Sequence, residues 1–261
     1  MSLHFVDTHC HFDFPPFAHH EAESLALAAA AGVRHIIVPA ISAARFPAVL
    51  DLAHRFNGLY GALGLHPLWV AEHRDEHLTQ LEQQLARRDP AIVAIGEIGL
   101  DLYMDTPQFT RQEALLDSQL QLAKHYDLPV ILHSRRTHDK LAMHLRRHHL
   151  ARTGVVHGFA GSYQQAKQFV DLGYKIGVGG TITYPRATKS RDVIARLPVD
   201  ALLLETDAPD MPLNGWQGQP NRPERVAEVF WILCSLRPEA PPVLAEHILQ
   251  NSMRLFMLPE A

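Results

Sequence analysis

The chain reads as an α/β fold, a (β/α)8 TIM barrel with extra C-terminal helices. Three observations predict it. Short runs rich in Val, Ile and Leu, bounded by Gly, Pro or polar residues, alternate with helix-like stretches from end to end. The runs are continuously apolar rather than alternating, as in parallel strands covered on both faces. The length of 261 residues suits one barrel domain spanning residues 1–261, since about 250 residues is usual for this fold.

The predicted strands are His4–Thr8, His35–Pro39, Leu59–Leu65, Ile92–Glu97, Pro129–His133, Thr153–His157, Tyr174–Val178 and Ala201–Thr206. Between them lie helix-like stretches at Glu21–Ala31, Ala43–Phe56, Glu76–Arg88, Thr110–Tyr126, Thr137–Leu150, Ser162–Leu172 and Arg191–Arg196. Gly32 and Gly173 have the positions of helix C-terminal glycines, and Ser162 that of an N-cap. Two further helices, about Pro223–Leu236 and Pro242–Phe256, close the chain. Eight βα units favour a closed barrel over an open doubly wound sheet. No G-x-G-x-x-G follows the first strand, so a dinucleotide site is not expected. The longest loop, Ala208–Arg222, follows the last strand, on the face where barrels carry substrate contacts.

Composition narrows the function classes. No apolar stretch approaches the roughly 20 residues of a membrane span, and the first segment leads straight into a strand, without a secretory signal pattern. Two cysteines, Cys10 and Cys234, fit a reducing cytoplasm better than a disulfide framework. A net charge of −4 gives no electrostatic footprint for extended nucleic-acid binding, but leaves room for an enzyme that grips a few phosphates. No obligate protein partner is evident.

Polar residues recur where the apolar runs end: His9 and His11 in FVDTHCH, Glu97 in IVAIGEIGLD, His133 in PVILHSR, His157 in GVVHGFAG and Asp207 in ALLLETDAP. Imidazoles and carboxylates are ligands of divalent transition metals. His9 and His11 are two apart, so on a strand they share a face and Cys10 points away. Glu97 has two oxygens with which to bridge two cations. Glu205, two before Asp207, should share its face and serve as a supporting group or auxiliary base. His66, in GLHP, faces the same mouth as a substrate-facing residue. Arg135, two past His133, offers a planar fork to a phosphate oxygen or is a solvated residue at a helix start. The turn GVGGTITYPR after the seventh strand offers backbone N–H groups near the site, and Trp216, Asn221 and Arg222 could contact a nucleotide. The cluster His144, His148 and His149, with Arg146 and Arg147, reads as a solvated helix face.

Together these segments resemble the TatD family of metal-dependent deoxyribonucleases, within the amidohydrolase-like superfamily. DTHCHFD, GLHP, IGEIGLD, LHSR, HGFAG and ETDAP follow in family order from about Val6 to Pro223. The resemblance implies two divalent ions per chain, Zn, Mn or Mg. One would be held by His9, His11, Glu97 and Asp207, and the other by His133, His157 and the bridging Glu97. Asp207 would also accept the proton of the attacking water. No Lys lies in Ile92–Leu100, which separates the chain from amidohydrolases that use a modified lysine there. The implied activity is hydrolysis of DNA, single strands or ends. The alternative is a deacylase acting on an ester or amide such as D-aminoacyl-tRNA, because the same activated water can attack phosphorus or carbon.

Overall fold

The computed structural model describes residues 2–260. Eight parallel strands form one sheet in chain order: β1 Phe5–Asp7, β2 Val33–Pro39, β3 Leu59–Leu63, β4 Ile92–Asp101, β5 Val130–Arg135, β6 Gly154–Val156, β7 Lys175–Val178 and β8 Leu202–Leu204. The helices are α1 Glu21–Ala30, α2 Phe46–Arg55, α3 Asp75–Ala86, α4 Phe109–Tyr126, α5 His138–His148, α6 Tyr163–Asp171, α7 Thr188–Arg196, α8 Val226–Leu236 and α9 Pro241–Phe256. The fold is a TIM barrel. β1 and β8 meet through Thr8 N and Oγ1, which both donate to Leu204 O. Just beyond the strand ends, Asp207 N donates to His9 O and His11 N to Ala208 O.

The apolar runs form strands because both faces are buried. Phe5, Ile36, Val38, Leu59 and Ile95 belong to the layer between sheet and helices. Val6, Ile37, Ala62, Ala94, Ile131, Val155 and Leu203 form a separate cluster with Leu249, Met253 and Phe256 of α9. The last helix thus packs with the barrel interior, and packs along β1 and β8. Local signals behave as expected. Ser162 accepts from Gln165 N at 3.1 Å while its own N–H donates to Gln165 Oε1, and Gly32 and Gly173 have φ of +93° and +92°, values that favour glycine.

Four sequence expectations need correction. β4 continues past Glu97 to Asp101, and its pairing with β5 shifts register between Ile95 and Ile98. Glu97 therefore sits at an irregularity inside a strand, a place where bulges re-aim side chains. β5 runs on through Arg135, so His133 is inside the strand and Arg135 closes it. β3 stops at Leu63, and His66 caps a short 3-10 turn over Pro67–Glu72. The cluster at the end of α5 is a solvated face only in part: Arg146, Arg147 and His149 are exposed, but two of its histidines turn inward. His144 is buried, with Nδ1 2.8 Å from Asp117 Oδ1 and Nε2 2.6 Å from Glu113 Oε2, and His148 Nε2 lies 2.7 Å from Asp117 Oδ1. Glu113 and Asp117 are one turn apart on α4, as His144 and His148 are on α5, so the two helices clamp through facing polar pairs.

Candidate metal centre

Glu97 is the hub. It is 1 % exposed and no Lys or Arg pairs with it among the described residues. Its Oε1 lies 3.1 Å from His9 Nε2 and 3.5 Å from His11 Nε2. Its Oε2 lies 2.7 Å from His157 Nε2, 2.9 Å from His66 Nε2 and 3.1 Å from His133 Nδ1. Asp207 Oδ1 completes the first side, 3.4 Å from both His9 Nε2 and His11 Nε2. Burial alone would raise the Glu97 carboxyl, but the surrounding imidazoles, with His66, His157 and His9 foremost, hold it well below the usual range. Burial likewise opposes ionisation of Asp207, and the hydrogen bond with His11 outweighs it. Burial works against a charge on His11 too, yet the contacts with Asp207 and Glu97 raise it to about 10.

Each ligand-type residue is placed by its segment. Asp7 Oδ1 accepts from His9 N at 3.2 Å and Thr206 N at 3.0 Å, while Oδ2 takes the Thr206 hydroxyl at 2.6 Å. One buried carboxylate thus holds together the two segments that carry His9 and Asp207. His9 and His157 stack with ring centroids 3.8 Å apart. Glu205 is buried; its Oε1 accepts from Gly158 N and lies 3.7 Å from His157 Nδ1, whereas Oε2 has no partner. A Cβ on Gly177 would fall 2.5 Å from that Oε2, so this strand position admits only glycine beside the carboxylate. Cys10 is fully buried in the layer under the helices.

Two residues refine the reading. His66 Nδ1 accepts from Leu68 N at 3.0 Å. Its neutral ring therefore carries the proton on Nε2, which makes it a donor toward Glu97 and the cavity, and burial lowers its pKa to about 4. Asp101, which sequence reasoning quoted in IGEIGLD without a role, is fully buried and its Oδ2 lies 2.6 Å from both His133 Nε2 and Arg135 Nε. A carboxylate on the far nitrogen of an imidazole fixes the tautomer and ring orientation of a metal-binding histidine. The signal was present: an acidic residue four after Glu97 in a buried run, where an unpaired charge would be costly. Arg135 reaches the cavity wall but is anchored to Asp101, with its side chain 44 % exposed.

Among the described residues three groups could hold a metal ion: His9, His11 and Asp207; His66, Glu97 and His133; and His9, His157 and Glu205. The donor set fits a divalent ion. Neutral nitrogens and carboxylate oxygens are the ligands of such metals, and the buried Nδ1 atoms of His9, His11 and His157 and Oε2 of Glu205 have no protein partner. The centre opens into a cavity of about 580 Å³, with apolar walls including Phe14, Trp69 and Ile182. Trp216, Asn221 and Arg222 do not line it. Trp216 Nε1 donates to Glu228 of α8, Asn221 Nδ2 donates to Thr206 O and Met211 O, and Arg222 pairs with Glu224. These side chains hold the last loop in shape.

A family model described as TatD related DNase matches residues 6–257. The chain belongs to the TatD family. It is 66 % identical to the uncharacterized metal-dependent hydrolase YjjV of Escherichia coli K12 over 99 % of this chain and 100 % of that protein. The crystal structure of the E. coli K12 TatD homologue YjjV superposes with a TM-score of 0.97, covering the same shares of both chains. The 3′-5′ ssDNA/RNA exonuclease TatD of Erwinia billingiae is 30 % identical over 88 % of this chain and 90 % of its own length. The chain is thus a metal-dependent hydrolase of the TatD family, and no described helix is long and apolar enough to cross a membrane.

Proposed function

We propose that residues 1–261 form one hydrolase domain that cleaves DNA phosphodiester bonds, at single strands or ends, with two divalent ions per chain. One observation carries the reading: the two oxygens of Glu97 face different histidine sets, His9 and His11 on one side and His66, His133 and His157 on the other. His9, His11, Glu97 and Asp207 would hold one ion, and His133, His157 and Glu97 the other. Two divalent ions held there would supply an acidified water and Lewis-acid charge against the phosphodiester. Asp207, kept ionised and 21 % exposed at its side chain, accepts the proton of the attacking water. Glu205, with Oε1 3.7 Å from His157 Nδ1 and Oε2 without a partner among the described residues, serves as an auxiliary base. His66 donates from Nε2. Arg135, gripped by Asp101 through Nε alone, turns its remaining N–H groups to a phosphate oxygen. Two free cysteines suit the cytoplasm, where we place the enzyme.

The test is hydrolysis of single-stranded DNA by metal-stripped protein with Mg²⁺, Mn²⁺ or Zn²⁺ restored in turn, beside Glu97→Ala. Restored cleavage that disappears in the variant, with the fold retained by circular dichroism, is the expected result. Unchanged cleavage by the variant overturns the reading. Arg135 is the one Lys or Arg on the cavity wall among the described residues, an observation that favours the acyl alternative. Hydrolysis of D-aminoacyl-tRNA with no cleavage of DNA would select it.

A further inference from the structure

A groove of about 260 Å³, built by the turn after β7 and the loop after β8, lies beside the cavity. The two concavities share Gly180, Thr181 and Met211 as a common wall, so they adjoin. Their electrostatics differ. Glu97, Glu205, Asp207 and Asp210 line the cavity, whereas no Asp or Glu lines the groove. Tyr184 and Arg186 do. The Tyr184 hydroxyl donates to Pro212 O at 2.7 Å, which fixes the ring, and the Arg186 guanidinium lies over one face of it, 5.4 Å from the centroid. Arg186 is exposed and forms no ion pair with any described residue. A fixed aromatic ring with one face toward a cation that has no carboxylate partner is what a single strand needs: a surface for a base and a charge for its phosphate.

We propose that this groove seats the nucleotide next to the one in the catalytic cavity, with its base on Tyr184 and its phosphate against Arg186. The proposal rests on the nucleic-acid reading of the centre. With a net charge of −4 the whole molecule does not attract a polyanion, so strand capture depends on local cations of this kind.

The experiment is fluorescence anisotropy of a 5′-fluorescein decathymidylate with the full-length protein in EDTA, for wild type, R186A, Y184A and Y184F across a salt series. Loss of the stacking ring in Y184A should weaken binding about five- to a hundred-fold, with Y184F, which keeps the ring but loses its anchor to Pro212 O, falling between the two. R186A should weaken binding and lower the slope of log K against log salt by about 0.7, the value of one single-strand phosphate contact. Wild-type-like binding by R186A and Y184A, or no binding by wild type, overturns the groove. The two readings separate when metal is restored. Cleavage of the decamer that is insensitive to R186A and Y184A leaves the nuclease and removes the groove. Groove-dependent binding without cleavage under any metal leaves the groove and removes the nuclease.

Discussion

At the residue scale, the centre depends on carboxylates that are not themselves exposed to a substrate. Asp101 illustrates this. Burial alone would raise its carboxyl, but the His133 and Arg135 hydrogen bonds hold it ionised below the usual range. It thereby aims one imidazole and one guanidinium toward the same cavity. Asp101→Asn should keep the fold, leave His133 free to rotate, and lower metal affinity or activity about 10- to 100-fold; isothermal titration with Mn²⁺ checks this. Gly177→Ala tests the crowding around Glu205. Its Cβ would meet Oε2 at 2.5 Å, so hydrolysis should fall as Glu205 is displaced, read as lost kcat, with Tm lowered by the few degrees that about 1–3 kcal/mol of overpacking represents.

At the element scale, α4 and α5 clamp through Glu113, Asp117, His144, His148 and Arg147. Burial pushes the Asp117 carboxyl up, and hydrogen bonds from His144 and His148 outweigh it, leaving its pKa below the usual value. A carboxyl depressed by folding contributes stability that is present above its unfolded pKa and lost as pH falls through its folded one. Asp117→Asn should therefore lower Tm at pH 7 by roughly 2–4 °C, the equivalent of about 1 kcal/mol. The gap between variant and wild type should close as pH falls below about 4. A gap that is constant with pH removes the ionic account. The sequence offered no partner for these histidines, because Glu113 and Asp117 lie more than two dozen residues earlier and only helix packing brings them together. α9 offers a second test. Phe256 is buried against the interior of the barrel, and Phe256→Ala should cost about 3–5 kcal/mol without altering kcat of the folded fraction.

At the scale of the whole molecule, stability and chemistry occupy different parts of the barrel. α9 and the inward Val, Ile, Ala and Leu residues form one cluster, while histidines and carboxylates gather where β1, β4, β5, β6 and β8 end or bend. Such a polar cluster is costly to bury without a compensating cation. Chelation should therefore lower Tm and Mn²⁺ or Zn²⁺ should restore it. The size should be about 4 kcal/mol when free metal exceeds Kd a thousand-fold, and differential scanning calorimetry gives the value directly. A Tm indifferent to chelator and metal would count against a resident ion.

The barrel itself was legible in the sequence, since continuous apolar runs alternating with amphipathic stretches leave few ways to bury both faces of eight strands. So was the gathering of His9, His11, Glu97, His133, His157 and Asp207, because a polar group ending an apolar run stands out, and the family motifs around Glu97 and Asp207 are specific. Tertiary structure decided what depends on distance between remote segments. It placed Asp101 on His133, gave His66 a donor's tautomer through Leu68 N, and put Asp7 across the junction of β1 and β8. It also turned Trp216 and Asn221 into loop supports and set the Tyr184 groove beside the cavity. Periodicity reports which face of an element is buried, a local property. Hydrogen-bond partners, tautomers and shared cavity walls arise only when segments distant in the chain are packed within a few ångströms.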